Sequence, residues 1–365
     1  MILWVREIKN MRRKFFLLLV VGVLIFGTTG CIKLKKSGTT KSNLGGVFMT
    51  DDRFETWKNR SNLMTPGETP GTISDTDIYL MRFDPSDQEA MYAATRGDGL
   101  FYSYNRGLGW MKSSKLPAGL VYDIVINTKD KCTLYAAVSN NIFKSEDCAR
   151  NWKQMYFTDS SEKIVSALQI DWYNPTIIYA GLSDGSFLQT SDGGQSWKML
   201  EKFPSRVKKI VVDSFDSRRL YVGVSGTGLY KKDIDSDDWT GLNKAMKDFS
   251  GAKKYYDFEV SESKENLILY ANKYGVLRSL DGGLTWAEVK LVTPPGAEVI
   301  YSLEIDPTNE NYIYYSTNSA IYKTLDGGEN WVIKQMPTTR VAGEIMVHPK
   351  ETANIFVGAK FVEQK

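Results

Sequence analysis

The sequence predicts an all-β fold, namely a β-propeller of seven four-stranded blades. The first observation behind this prediction is an eight-residue motif ending in Trp, which recurs from Trp110 onward at intervals of 42 to 47 residues. A repeat of this length is typical of a four-stranded propeller blade. The second is that Tyr, Ile, Val and Phe occur in short runs interrupted by Gly, Asn, Asp and Pro, as expected for many short strands. The third is that the first and last repeats are incomplete and complement each other.

Each motif has Ser or Thr first, Asp at the third position, Gly at the fifth and Trp at the eighth. Residues 190–197, 279–286 and 324–331 match it fully. In 145–152 Ala replaces Gly, in 103–110 Asn replaces Asp, and in 50–57 Phe replaces Gly. The Asp (or Asn) and Trp positions of the six copies are Asp52, Trp57, Asn105, Trp110, Asp147, Trp152, Asp192, Trp197, Asp281, Trp286, Asp326 and Trp331.

These residue types predict a tight turn between the third and fourth strands of a blade, which we call a clasp turn. The Asp and Ser/Thr side chains hydrogen-bond nearby backbone N–H groups, and Gly supplies a positive φ without steric cost. The Trp that follows packs its ring under the turn. A calcium loop needs more oxygen ligands than one Asp for each turn. We therefore interpret the motif as structural and expect no metal or other cofactor.

The spacing of the Trp residues predicts seven blades and a ring closed by both ends of the chain. Trp239 lies 42 residues after Trp197 and marks a blade whose clasp turn has lost the motif. The strand 46–49 has no first pair of strands before it, whereas strands at 343–349 and 354–358 have no third strand after them. A split blade that joins these segments removes two exposed sheet edges. We assign the propeller to residues 46–365.

The N-terminus predicts an export signal. A basic stretch, residues 11–14, precedes the almost wholly apolar residues 15–26, a length that suits a signal peptide better than a membrane span. Cys31 then follows small residues and resembles the lipidated Cys of bacterial lipoproteins, although Thr28 stands where such signals usually have Leu. We expect residues 1–30 to be a lipoprotein signal and 31–45 a flexible tether. The protein would then be membrane-anchored in a bacterial cell envelope; ordinary signal cleavage or an uncleaved anchor are the alternatives.

Cysteine and histidine usage is consistent with export. Cys132 and Cys148 are expected in two turns on one face of the same blade, where they can form a disulfide if their Cα atoms come within about 7 Å. Two unpaired buried thiols are the alternative. His348 is the only histidine, which argues against a Cys/His metal site. It precedes a Pro at a strand end and is predicted to be a turn residue.

Residues 46–358 resemble the Asp-box propellers, also called bacterial neuraminidase repeat proteins, through these motifs. That group includes sialidases, xyloglucan hydrolases, sortilin-like receptors and the photosystem II assembly factor. The resemblance implies the fold with clasp turns at the periphery, but says little about activity. The Arg-Ile-Pro segment of sialidases is absent, and xyloglucan hydrolases use two propellers where one fits here. The chain is closest in style to the assembly factor and sortilin-like single propellers, which implies protein binding.

An enzymatic function would depend on carboxylates near the starts of the innermost strands. An acid pair of a glycoside hydrolase lies about 5 to 10 Å apart. The sequence offers such residues, but we favour the interpretation that they are solvated or strand-end carboxylates. They are Asp77, Asp123, Asp257, Glu298 and Glu344.

The face opposite the clasp turns is the predicted binding surface. Its long loop 241–256 combines four lysines with Phe249 and two tyrosines, a combination suited to an acidic or aromatic partner; a merely solvated loop is the alternative. The net charge of +3 does not indicate nucleic acid. We predict a monomeric, non-catalytic protein-binding propeller, with glycan binding or glycoside hydrolysis as the alternative. The candidate binding residues are Arg206, Lys253, Lys254, Tyr255 and Arg340.

Overall fold

The computed structural model describes residues 42–64 and 71–363 and confirms the predicted seven-bladed, all-β propeller. Each blade is an antiparallel sheet of four strands, and the first strand of each blade lies next to the centre of the ring. Within these residues the only helix is the short 3-10 helix Leu242–Met246. The predicted signal peptide, Cys31 and most of the predicted tether lie outside the described residues.

The strands follow the predicted up-and-down order. The innermost strands are β3 (Ile78–Phe83), β7 (Val121–Ile126), β11 (Val165–Ile170), β15 (Val207–Val212), β19 (Tyr255–Val260), β23 (Ser302–Asp306) and β27 (Val341–Val347). The second strands are β4 (Met91–Thr95), β8 (Leu134–Val138), β12 (Ile178–Leu182), β16 (Leu220–Val224), β20 (Ile268–Asn272), β24 (Asn309–Ser316) and β28 (Ile355–Lys360). The third strands are β1 (Gly46–Thr50), β5 (Leu100–Ser103), β9 (Asn141–Ser145), β13 (Ser186–Thr190), β17 (Gly228–Lys232), β21 (Val276–Ser279) and β25 (Ile321–Thr324). The outer strands are β2 (Lys58–Asn59), β6 (Met111–Lys112), β10 (Lys153–Phe157), β14 (Lys198–Lys202), β18 (Trp239–Gly241), β22 (Ala287–Val289) and β26 (Val332–Lys334).

The ring closes through the predicted split blade. Its strand order is β27, β28, β1, β2, and Phe48 of β1 lies opposite Val357 of β28. The segment just before β1 is also held, because Thr338 Oγ1 donates to the carbonyls of Ser42 and Leu44. Residues 42–45, which the sequence analysis placed in the tether, therefore pack against the loop before β27.

The cores lie between neighbouring blades and depend on small residues in the second strands. A Cβ atom at Gly358 would come within 2.7 Å of Ile78 Cγ2 in the next blade, and one at Gly223 would collide with the ring of Tyr255. At these two contacts the innermost strand of one blade fits against a glycine of the blade before it. This close packing explains why the second strands of the first five blades in chain order are buried along their whole length.

The six clasp turns that keep the motif share one hydrogen-bond pattern, illustrated by the blade of β13. The Thr190 hydroxyl donates to Asp192 Oδ1 at 2.7 Å and accepts the amide of Gly194 at 3.0 Å. Asp192 Oδ1 also accepts the amides of Gln195 and Ser196. The Ser196 hydroxyl and amide, followed by the Thr190 hydroxyl, hold the pKa of Asp192 well below its ordinary value. The polar groups of the motif are therefore used inside the turn.

The worn clasp turns keep the backbone shape of the complete ones. Two consecutive residues of the turn have positive φ, and in the complete motif both are glycines, as at Gly193 (71°) and Gly194 (95°). Side chains occupy these angles in the worn copies, at a conformational cost that glycine avoids. These residues are Arg53 (54°), Phe54 (71°), Arg106 (53°), Cys148 (60°) and Ala149 (67°).

His348 is a turn residue, as predicted. Its Nδ1 accepts the amides of Lys350 and Glu351, at 3.3 and 3.0 Å. In the equivalent turn of another blade, Asp213 accepts the amides of Phe215 and Asp216 in the same way. Burial lowers the pKa of His348, so the imidazole is neutral and its lone pair replaces a carboxylate oxygen.

Cys132 and Cys148 form a disulfide in the structure. Their Cα atoms lie 4.0 Å apart, and the amide of Cys148 donates to the carbonyl of Cys132. The bond joins the turn before β8 to the clasp turn after β9, so it crosses one face of a single blade.

We expect removal of this disulfide to lower the free energy of unfolding by up to roughly 3 kcal/mol, because the bond closes a loop of about 15 residues in the unfolded chain. Chemical denaturation of Cys132→Ser/Cys148→Ser against the oxidised wild type measures the difference. Mass spectrometry of the exported, unreduced protein after alkylation provides the second measurement. Alkylation of both thiols there would contradict the bond.

Candidate functional site

The central channel opens through a ring of bulged residues at the start of the innermost strands. In six blades the pairing of the first two strands skips one residue at this level. A bulge adds a residue that the partner strand does not match and re-aims its side chain. Tyr301, directly before β23, has the corresponding place in the seventh blade. We call these positions the mouth ring: Tyr79, Tyr122, Ser166, Lys208, Tyr256, Tyr301 and Gly343.

Two tyrosines of the mouth ring contact cations that lie beside it. The rings of Tyr79 and Tyr122 meet edge to face with centroids 6.3 Å apart, and the guanidinium of Arg206 lies 5.1 Å from the centroid of Tyr122. On the opposite arc, Lys360 Nζ lies 4.8 Å from the centroid of Tyr301. Lys360 reaches this position across Gly343, where a Cβ atom would come within 2.5 Å of its Cδ. The ring lies on the face opposite the clasp turns.

Below the mouth ring, Arg82 bridges two carboxylates from neighbouring blades. Its guanidinium lies 3.4 Å from Asp123 Oδ1 and 3.2 Å from Glu344 Oε1. Asp123 also accepts the amides of Ile124 and Leu168, each at 2.9 Å. The carboxylate of Asp123 therefore joins its own innermost strand to the next one.

Lys209 makes a second bridge on another arc of the channel. Its Nζ lies 3.1 Å from Asp257 Oδ1 and also pairs with Glu259. Asp257 repeats the role of Asp123, because it accepts the amides of Phe258 at 2.9 Å and Leu303 at 3.1 Å. Two innermost strands thus carry the same Asp-mediated link to their neighbour.

Acids outnumber cations at these levels of the channel. Glu304 accepts the amide of Val347 at 3.1 Å but makes no ion pair with any described residue. Burial raises the pKa of Glu304 well above its ordinary value, and it raises the pKa of Glu259 to about 7. Burial also raises the pKa values of Asp123 and Glu344. Glu259 therefore changes charge near neutral pH, in contact with Lys209.

The five acids predicted from the sequence do not share one environment. Asp123, Asp257 and Glu344 lie near the starts of their strands and form ion pairs in the channel. Of the two expectations for them, solvated or strand-end carboxylates, the solvated one is wrong. Asp77 lies 2.7 Å from Arg340 and also accepts the amide of Phe361. Glu298 accepts the hydroxyl of Ser319.

Sequence reasoning missed four members of the channel network. Each is a charged residue at an inward position of an innermost strand. These charged residues lie two or four positions before the Asp or Ser at the end of the strand. This regular spacing was the sequence signal that could have identified them. The missed residues are Arg82, Lys209, Glu259 and Glu304.

The predicted binding loop borders an open cavity of about 380 Å³. Met246 and Phe249 line its apolar part, and the exposed Lys253 and Lys254 stand at its rim. Neither lysine has an ion pair with any residue that the structure describes. Tyr255, by contrast, packs against Gly223 and Tyr270.

Two of the five candidate binding residues are thus engaged within the fold. Arg340 holds Asp77 and donates to the carbonyl of Asn43, so it ties the N-terminal segment to the ring, while Tyr255 fills a gap between blades. Arg206 lies beside the mouth ring, with its guanidinium against Tyr122. Only Lys253 and Lys254 remain at the rim of the loop cavity.

Residues 42–64 and 71–363 contain no group of three or more His, Cys, Asp or Glu side chains that could hold a metal ion. No helix in these ranges is long and apolar enough to cross a bilayer.

Comparison with known proteins relates the chain to propellers of different functions. A curated xyloglucanase from Paenibacillus sp. is 24% identical over 271 residues, covering 68% of this chain and 24% of that protein. The GH74 xyloglucanase of Xanthomonas campestris superposes with a TM-score of 0.62 at 15% identity, over 78% of this chain and 51% of that one. YCF48 bound to a D1 peptide superposes with a TM-score of 0.60 at 11% identity, over 84% of this chain and 98% of that one.

The chain spans about a quarter of the length of the xyloglucanase that it matches in sequence. Its structural likenesses, at 11 to 15% identity, establish the fold alone. The family model that describes the DUF6242 beta propeller domain matches residues 52–324. That match covers most of the propeller, and the chain belongs to the DUF6242 β-propeller family.

Proposed function

We propose that this protein is an envelope-anchored Asp-box propeller that binds a protein partner on the face opposite its clasp turns and catalyses no reaction. The observation that carries the proposal is the pair Lys253 and Lys254, exposed and without ion pairs among the described residues, beside a cavity with an apolar wall. Exposed cations next to apolar surface are suited to an acidic or aromatic patch of a partner. The peptide bound by YCF48 is a precedent on the same fold.

The channel supports a non-catalytic function in a second way. Asp123 and Asp257 each hold a cation and two backbone amides. Carboxylates used in this way stabilise the ring and are not free to act on a substrate.

Reversing charge at the loop is expected to weaken partner binding about tenfold at low salt, because two attractive contacts become repulsive. The difference should shrink as salt rises, since exposed charges are screened. The experiment compares capture of envelope proteins by the full-length wild type and by Lys253→Glu/Lys254→Glu, with quantitative mass spectrometry. The matched control is Lys153→Glu/Lys198→Glu, which makes the same charge change on exposed positions of two outer strands. A partner retained equally by all three proteins contradicts the assignment of the loop.

The anchor is tested separately. We expect a fatty-acid probe to label the wild-type protein and not Cys31→Ser, because the proposed lipid is attached to that thiol. The labelled wild type should fractionate with membranes. Equal labelling of both proteins would refute the lipoprotein assignment.

A glycoside hydrolase is the second candidate, favoured by the xyloglucanase match and by one chemical observation. Burial brings the pKa of Glu259 to about 7, a value suited to a general acid. Turnover of xyloglucan or another polysaccharide, abolished by Glu259→Gln or by Asp→Asn or Glu→Gln at Asp123, Asp257, Glu298 or Glu344, would replace the first proposal with this one.

A further inference from the structure

An aromatic patch lies on the clasp-turn face, in the turns that join the first and second strands of two neighbouring blades. Its members are Trp172, Tyr173 and Phe215, which are 38%, 70% and 45% exposed. The turn of Trp172 touches a clasp turn of its own blade, because the amide of Gly193 donates to the carbonyl of Thr176. The patch therefore belongs to the face opposite the mouth ring.

The turns do not need these aromatic side chains. In all seven blades the residue at or just after the end of the first strand accepts the backbone amide of the residue two positions later. That later position holds Ser, Thr or Lys in five blades and an aromatic residue only at Tyr173 and Phe215. A backbone amide makes this bond whatever its side chain is. The fold thus leaves the exposed rings unexplained, and exposed apolar groups in one place indicate contact with a ligand.

Contacts join the two turns into one patch. The rings of Trp172 and Tyr173 lie with their centroids 6.1 Å apart and their planes at 85°. Trp172 Nε1 donates to the carbonyl of Asp213 at 2.9 Å, and Asp213 Oδ1 accepts the amide of Phe215 at 2.8 Å. Lys129 Nζ lies 5.7 Å from the centroid of Tyr173 and donates to the carbonyl of that residue. The patch therefore crosses the boundary between two blades, and its two perpendicular rings form a corner.

The clasp-turn face does not suit an anionic ligand. Five of the six motif copies on this face carry an aspartate. Hydrogen bonds from Asn151 hold the pKa of Asp147 at about 2, so this carboxylate is ionised at neutral pH. Such carboxylates repel the phosphate groups of an anionic bilayer or of nucleic acid. Close to Phe215 the charges are already paired, since Arg218 lies 2.6 Å from Asp216, and an uncharged ligand is favoured.

We propose that the aromatic patch binds a segment of an uncharged polysaccharide, with sugar rings packed on Tyr173 and Phe215 and in the corner that Trp172 forms. One face of a pyranose ring consists of C–H groups and packs against an aromatic ring, while the hydroxyls at its edge form hydrogen bonds. The Asp216–Arg218 pair offers acceptors and donors to those hydroxyls without an unpaired charge.

The corner also determines the form of the polysaccharide. A row of coplanar rings suits a flat crystalline surface, whereas two perpendicular rings enclose a single chain. The ligand is therefore a soluble or hydrated chain. The patch shares no residue with the proposed partner-binding loop or with the channel, so it stands whether or not the protein has the function proposed above.

The test is affinity electrophoresis of the full-length protein in gels that contain hydroxyethyl cellulose, xyloglucan, galactomannan or glycogen. At least one of these uncharged polysaccharides should retard the wild type. Tyr173→Ala/Phe215→Ala should weaken binding at least about tenfold, because both rings are lost while the backbone bonds of the turns remain. Tyr173→Phe/Phe215→Tyr keeps both rings and should bind as the wild type does. Phe157→Ala/Met199→Ala, which removes side chains that are 67% and 58% exposed on β10 and β14, is the matched control.

Thermal unfolding near the wild-type temperature shows that the double alanine variant is folded, and Tyr173→Ala alone serves if it is not. Retardation by none of the four polysaccharides overturns the proposal. Equal retardation of the wild type and the folded alanine variant does so too. Sedimentation with phosphatidylglycerol vesicles that depends on Tyr173 and Phe215 would make the patch a membrane-docking surface, and this result would also overturn the proposal.

Discussion

Deleting residues 355–365 is expected to abolish the cooperative unfolding transition of the propeller. The deletion removes β28, in which Ile355, Phe356 and Val357 are completely buried. At about 2 kcal/mol for each large buried apolar side chain, these three account for about 6 kcal/mol. A domain has a total stability of about 5 to 15 kcal/mol. The deletion also leaves β1 and β27 with unpaired edges, which adds to the loss.

Circular dichroism and thermal unfolding of the truncated chain measure this effect. Deletion of residues 362–365 is the control, because it leaves β28 intact together with the bond from the Phe361 amide to Asp77. In a circular permutant, a short linker joins the two ends of the propeller and the chain is opened at the turn formed by Asp235 and Ser236. This protein keeps every strand pair. It should fold. A truncated chain that unfolds cooperatively near the wild-type temperature would show that ring closure contributes little.

Lys209→Met is expected to cost about 3 kcal/mol or more at pH 8, because it leaves the carboxylates of Asp257 and Glu259 without their cation in the channel. The loss should be smaller at pH 5.5. The folded state raises the pKa of Glu259 from 4.5 to about 7. This group therefore stabilises the folded state, and its contribution is complete at pH values below its unfolded-state pKa. That contribution disappears as the pH rises through about 7. Removing Lys209 raises the pKa of Glu259 further, so in the variant the contribution of Glu259 disappears at a higher pH.

Urea denaturation at the two pH values gives the comparison. Lys208→Met, on the same strand, changes a lysine without an ion pair among the described residues and should alter stability much less. Adding Glu259→Gln to Lys209→Met should recover part of the loss at pH 8, since one unpaired charge is gone. Equal losses at pH 8 and pH 5.5 would show that the channel acids are not the cause.

The features that the sequence predicts correctly are encoded over short distances or by regular spacing. Thr190 and Asp192 form their clasp turn within a few residues, and His348 binds amides two and three residues away. The split blade was predictable because a missing strand pair at one end matches a surplus pair at the other. Each of these inferences needs only the chain order and the geometry of turns.

The channel was not predictable in the same way. Arg82 meets Glu344 across 262 positions of sequence, and only the closed ring brings them together. The mouth ring depends on bulges near the starts of six innermost strands. A one-residue bulge changes the alternation of side chains too little to be recognised in the sequence. Tyr255 is a related case. Its aromatic side chain indicated a binding surface, but in the structure the side chain packs against Gly223, where the absence of a side chain leaves room for it.

The split blade also affects when the fold can be completed. Phe48 cannot pair with Val357 until the roughly 300 residues between them have been synthesised. At 5 to 20 residues per second this takes roughly 15 to 60 s. During this time β1 has no neighbour on one side and exposes the apolar segment 47–49 in a form that invites wrong pairing. The six complete blades between the ends contain only local strand pairs and can form earlier. The last step of folding is therefore the meeting of the two ends, and any delay at that step prolongs the life of an open, aggregation-prone chain.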